Sequence, residues 1–172
     1  ANGEDTEPQK AIKDEKSEKE NPASDTIEVV EEYIPEPTAN LSIQEQEDLI
    51  GYWVGWFVAD LSDSAMSLYQ EKGIVYSERN KITISIDSIF EDSVIGHSVV
   101  ANTYQVFEGT FQLELGNYLF KVREPGAGRY DGEFKFQIST GDTLMSGSWE
   151  AYDDIPVKRR TFSTQKKIYT YN

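Results

Sequence analysis

The chain has no cysteine and a single histidine, His97, in 172 residues. The first absence removes a disulfide framework, a thiolate nucleophile and any Cys-type zinc site. The second leaves imidazole chemistry one candidate base. Basic side chains are also scarce, 16 Lys and Arg against 31 Asp and Glu, for a net charge of −15. Nucleic acids bind through cations that displace counterions, so this balance argues against such a partner. The one basic run, Lys158-Arg159-Arg160, is short and sits close to Asp153 and Asp154, which reads as a solvated strand end. No apolar stretch approaches the roughly 18 residues of a membrane-spanning helix. The chain starts Ala1-Asn2-Gly3 without methionine. That start is expected of a chain whose original N-terminus has been removed, and a cleaved signal peptide or a shortened chain accounts for it equally.

What is present is unevenly distributed. Residues 1–40 hold twelve acidic and four basic side chains and one aromatic, Tyr33, whereas residues 41–172 hold the other 20 aromatics. Ordering a chain costs conformational entropy that buried apolar area must offset, and only the second part has that area. The expected organisation is a disordered acidic linker over 1–40 and one domain over 41–172. Pro35 and Pro37 stiffen the end of the linker.

Ser42-Ile43-Gln44-Glu45 predicts a capping box, in which each of Ser42 and Glu45 satisfies the other's backbone N–H. A short helix follows, with Ile43, Leu49 and Ile50 on one side, and Gly51 ends it. Tyr52 to Val58 is a strand of aromatic and β-branched residues. From Asp60 to Gly73 the spacing is mixed and predicts a long loop with about one helical turn. Beyond it, apolar and polar residues alternate: Ile82, Ile84 and Ile86; Phe107, Gly109, Phe111, Leu113 and Leu115; Tyr130, Gly132, Phe134, Phe136 and Ile138. One wet and one dry face is the antiparallel pattern. Further strands fit 94–101, 117–124, 143–152 and 160–170, with turn residues between them. The fold class predicted is all-β, an antiparallel up-and-down barrel of about eight strands preceded by a short helix, with a two-sheet sandwich as the alternative.

The helix, the Gly51-Tyr52-Trp53 sequence opening the first strand and the meander after it resemble the lipocalin-like (calycin) barrels. That resemblance implies that a basic residue of the last strand, Arg160 or Arg159, packs over Trp53. Residues 80–172 also resemble uncharacterised secreted bacterial lipoproteins, through Asn80–Asp87, Gly96–Val100, Tyr130–Phe134 and Leu144–Ala151. In those proteins a flexible acidic leader follows a lipidated cysteine, which this chain lacks. The resemblance implies a cell-envelope or secreted location, as an outer-membrane lipoprotein.

Candidate chemistry is thin. His97 and Ser98 are neighbours on a strand and point to opposite faces, so they cannot form a nucleophile–base pair. Most carboxylates that can be placed alternate with apolar residues and lie on the wet face. Asp60, Asp63, Asp153 and Asp154 lack the spacing of a calcium loop. The chain is therefore read as non-enzymatic, without cofactor or metal. The aromatics fill the barrel core or leave a cavity for an apolar small molecule. In the second case the lining is expected from Trp56, Phe107, Phe120 and Phe134, with Met66, Leu68 and Tyr69 of the long loop as a lid; Trp53 and Arg160 are structural. Binding of an apolar small molecule by a monomer is the expected function. The alternative is a filled-barrel spacer that contacts another envelope protein or a glycan.

Overall fold

The computed structural model describes residues 41–168; the acidic segment 1–40 and residues 169–172 lie outside them. In chain order the elements are α1 (Ile43–Leu49), β1 (Gly51–Ala59), α2 (Asp63–Glu71), β2 (Arg79–Phe90), β3 (Ser93–Val100), β4 (Thr103–Glu114), β5 (Asn117–Arg123), β6 (Gly132–Ser139), β7 (Leu144–Ala151) and β8 (Arg159–Lys166). Each strand pairs antiparallel with the next, and β1 pairs with β8, so the sheet closes as an up-and-down barrel. The sandwich alternative is thereby excluded. Closure leaves no unpaired sheet edge, which an eight-stranded open meander of this composition would expose.

Side-chain parity decides what faces inward. Trp53 and Phe57 of β1 point into the barrel with Gly55 between them, and Trp53 is fully buried. The inward rows of the other strands include Ile82, Ile84 and Ile86, then Phe107 and Phe111, Tyr118 and Phe120, Phe134 and Phe136, and Met145 and Trp149. Glycine makes room for these rings. A Cβ on Gly96 would stand on top of the Ser85 carbonyl oxygen and 2.6 Å from the Phe107 ring, so backbone and aromatic together exclude a side chain there. Gly96→Ala should destabilise the barrel by about 2–3 kcal/mol through overpacking. Urea denaturation checks this, and a loss below about 0.5 kcal/mol would show that both the Phe107 ring and the β2 backbone at Ser85 give way freely.

The two ends of the barrel differ. At one end α1 is capped as its sequence predicts: Ser42 Oγ accepts from Glu45 N at 3.3 Å, and Ser42 N donates to Glu45 Oε2 at 2.7 Å. Leu49 is buried against the core and Trp53 Nε1 donates to Leu49 O at 3.1 Å. Ile43 departs from the expected apolar side and is 78% exposed. Six residues separate it from Leu49, roughly 240° of helical turn, which carries it off the docked face. Lys166 Nζ donates to Glu47 O at 2.5 Å and to Asp48 O at 2.6 Å, placing a cation on the carbonyls of the last helical turn. Above α1 the rings stack: Phe111 on Phe120 at 5.3 Å, and Phe120 on Phe136 at 4.7 Å. This half of the barrel is solid.

The other end carries the β1–β2, β3–β4, β5–β6 and β7–β8 connections. Here the segment expected to be a loop from Asp60 to Gly73 holds the nine-residue helix α2. Ser62 caps it, accepting from Ala65 N at 3.2 Å. An N-cap and a tertiary anchor outweigh the weak helical spacing of the sequence. The anchor is Tyr69, whose hydroxyl donates to Pro156 O at 2.6 Å in the β7–β8 connection.

Candidate functional site

A cavity of about 430 Å³ occupies the open half of the barrel. Its floor is Phe57, Phe134 and Trp149, and its rim includes Val75, Tyr76, Ala101, Tyr130 and Ile155. Between floor and rim runs a belt of polar side chains: Asn80 of β2, Ser98 of β3, Gln105 of β4, Glu124 just past β5 and Arg160 of β8. Each stands where its strand's inward row emerges from the ring-filled half. An apolar pocket with a few convergent polar groups is the usual form of a small-molecule site. A second depression, about 560 Å³, lies between α2 and residues Ile74–Tyr76. It is an open surface groove without buried polar groups, so the barrel cavity is the candidate site.

Two ionisable groups dominate the belt. Glu124 is 6% exposed. Its Oε2 accepts from Gly132 N at 2.6 Å and from Trp149 Nε1 at 3.2 Å, and its Oε1 from Ser98 Oγ at 3.4 Å. Burial pushes its pKa above the usual carboxylate value and the charge of Asp131 adds to this, while the three donors pull it back. Asp131 is itself buried and accepts from Gly126 N and Gly128 N at 3.0 Å each and from Gln105, which pins the β5–β6 connection at the rim. Arg160 is 9% exposed; its Nη2 donates to Ser77 O at 2.9 Å, and its guanidinium lies 5.3 Å from the Phe57 ring centroid. Burial lowers its pKa.

The residues expected to line a pocket are only partly gathered here. Phe134 is in the floor. Phe107 packs below it, 6.0 Å from Phe134, and Phe120 is locked in the stack of the solid half. Trp56 is corrected outright. It is 46% exposed on the outer face, with the Arg79 guanidinium 3.7 Å over its ring. Since Trp53 points inward, a residue three further along the strand must point outward. Met66 and Leu68 are exposed on α2 and do not line the cavity, although Met66 borders the surface groove. Tyr69 fastens α2 to Pro156, and Val75, Tyr76 and Ser77 beyond the helix form that side of the mouth.

Arg160 is not the partner of Trp53. In the β1–β8 register Trp53 faces Lys166 and Ala59 faces Arg160, a separation of six residues or roughly 20 Å along the strand. Lys166 Nζ takes the expected place, 5.8 Å from the Trp53 ring. Arg159 points outward to Asp60 at 4.0 Å. The polar belt carries a signal in strand parity alone. Glu124 continues the inward row Tyr118, Phe120, Val122, and Ser98 continues Val94 and Gly96, so each is a polar residue at an apolar-parity position.

His97 lies on the outer surface, its Nδ1 sharing a hydrogen bond of 2.7 Å with Asp87 Oδ2. Ser85 Oγ donates to the other oxygen of Asp87 at 2.5 Å. The carboxylate therefore stands between hydroxyl and imidazole, an order that cannot pass the serine proton to the histidine. Among the described residues no three His, Cys, Asp or Glu side chains gather to hold a metal ion. Comparisons of this chain with protein-family models, with curated proteins and with solved structures find no match.

Proposed function

We propose that this protein is a non-enzymatic, lipocalin-like binding module of the cell envelope that holds a small apolar or amphipathic molecule in the open half of its barrel. The observation that carries the reading is the cavity of about 430 Å³, apolar at its floor and ringed by polar groups on five different strands or their ends. That volume falls in the range of small-molecule sites. The stacked rings of Phe111, Phe120 and Phe136 stop a ligand at mid-barrel, so the occupant is compact rather than a long chain threaded to full depth. The helix across one end, the Gly51-Tyr52-Trp53 opening and the cation over Trp53 support the lipocalin-like assignment. The envelope location, as a secreted lipoprotein, rests on the sequence resemblance and the acidic leader.

Titration with a neutral apolar dye, N-phenyl-1-naphthylamine, tests the reading. Saturable binding is expected, with quenching of Trp149 in the cavity floor, and Val100→Trp should weaken it by about ten-fold or more by filling the mouth. Absence of saturable binding would replace this reading by the spacer domain that contacts protein or glycan through its outer face.

A further inference from the structure

Resting on the binding reading above, we infer that the ligand carries a compact anionic group, a carboxylate or its equivalent, that sits against Arg160. Arg160 enters the cavity from the first inward position of β8 and is nine-tenths buried. Its Nη2 is used by Ser77 O, yet its Nη1 is buried without a hydrogen-bond partner among the described residues. Among the described residues no carboxylate forms an ion pair with it. A guanidinium keeps its charge in any protein environment, and a buried charge without a counter-ion is costly. The Phe57 ring face offsets only part of that cost.

The one carboxyl among the described residues that lines the cavity cannot serve. Both oxygens of Glu124 are engaged by Gly132 N, Trp149 Nε1 and Ser98 Oγ, which hold it toward β3, β6 and β7. Asp131 is likewise tied to Gly126, Gly128 and Gln105. Among the described residues the cavity thus holds a buried cation with no counter-charge beside it, above a floor of Phe57, Phe134 and Trp149 that takes an apolar body. Planar, bidentate recognition of a carboxylate is what a guanidinium does best. The exterior, with a chain net charge of −15, attracts no anion at long range, so selection for the acid must come from this contact at close quarters.

Displacement of the neutral dye by octanoate, octanol and octylamine tests this. Octanoate should bind about ten-fold or more tightly than octanol, and octylamine more weakly than either. In Arg160→Gln the preference for octanoate over octanol should shrink to about two-fold or less, and Arg160→Lys, which keeps the charge and loses the planar fork, should keep only part of it. Equal affinities for octanoate and octanol in the native protein would overturn the inference and leave the binding reading intact, as would a preference retained in Arg160→Gln. That first comparison needs no variant to fold. Failure of the dye to bind, with no heat of binding for any of the three octyl compounds in direct calorimetric titration, would remove the binding reading itself.

Discussion

Trp53→Ala should lower the unfolding free energy by about 3–5 kcal/mol, the range for large aromatics deleted from cores. Its ring is fully buried, its Nε1 donates to Leu49 O, and Lys166 lies over it while holding the last carbonyls of α1. The substitution therefore opens a cavity in the solid half and loosens the helix that closes that end. Urea denaturation followed by far-ultraviolet circular dichroism measures it. A loss under about 1.5 kcal/mol would mean that α1 is held by Leu41, Leu49 and the Tyr118–Glu45 hydrogen bond without the tryptophan. The cavity at the other end lies beyond the ring stack, so dye binding by the folded fraction should change little.

Glu124→Ala should cost about 2–4 kcal/mol, because it leaves the Gly132 N–H and the Trp149 Nε1–H buried without acceptors, at roughly 1–3 kcal/mol each. Glu124→Gln keeps an acceptor and should cost much less. The same residue sets a pH dependence. Its folded pKa is raised above the ordinary value of 4.5, mainly by burial, so from about pH 4.5 upward the unfolded chain releases a proton that the folded chain retains. The unfolded state then binds fewer protons, and stability falls as pH rises until the folded carboxyl also ionises. This contribution is fully present below pH 4.5 and lost through the folded pKa, and it should vanish in Glu124→Gln. Melting temperatures of the two proteins across roughly pH 4–8 compare the slopes. Parallel curves would show that folding does not raise the Glu124 pKa, its three donors cancelling burial.

Strand parity, capping chemistry and turn residues are local properties, and that is why so much of the scaffold is legible in the sequence. Alternation in Ile82–Ile86, Phe107–Phe111 and Phe134–Ile138 decides which side of each strand is dry, although Leu113 at the end of the β4 row and Leu115 just past it are exposed, and Ser42 and Glu45 mark the start of α1 by their spacing alone. The same parity rule, applied strictly, places Trp56 outside and Glu124 and Ser98 inside. Hydrophobicity points the other way at these three positions, drawing the tryptophan inward and the polar pair outward, and the pleat prevails over it. The full length of α2 is not legible because its anchor, Tyr69 to Pro156, spans 87 residues of sequence and leaves no local trace.

By itself the sequence determined an antiparallel all-β meander, a capped helix at its start and a buried Trp53, since each follows from spacings of a few residues. Only the tertiary structure decided that the meander closes as a barrel, which half of that barrel is hollow and which basic residue meets Trp53. Those depend on the register of β8 against β1, which places Lys166 beside Trp53 and carries Arg160 to the open end. Register is set by closure of all eight strands together, and no single strand contains it.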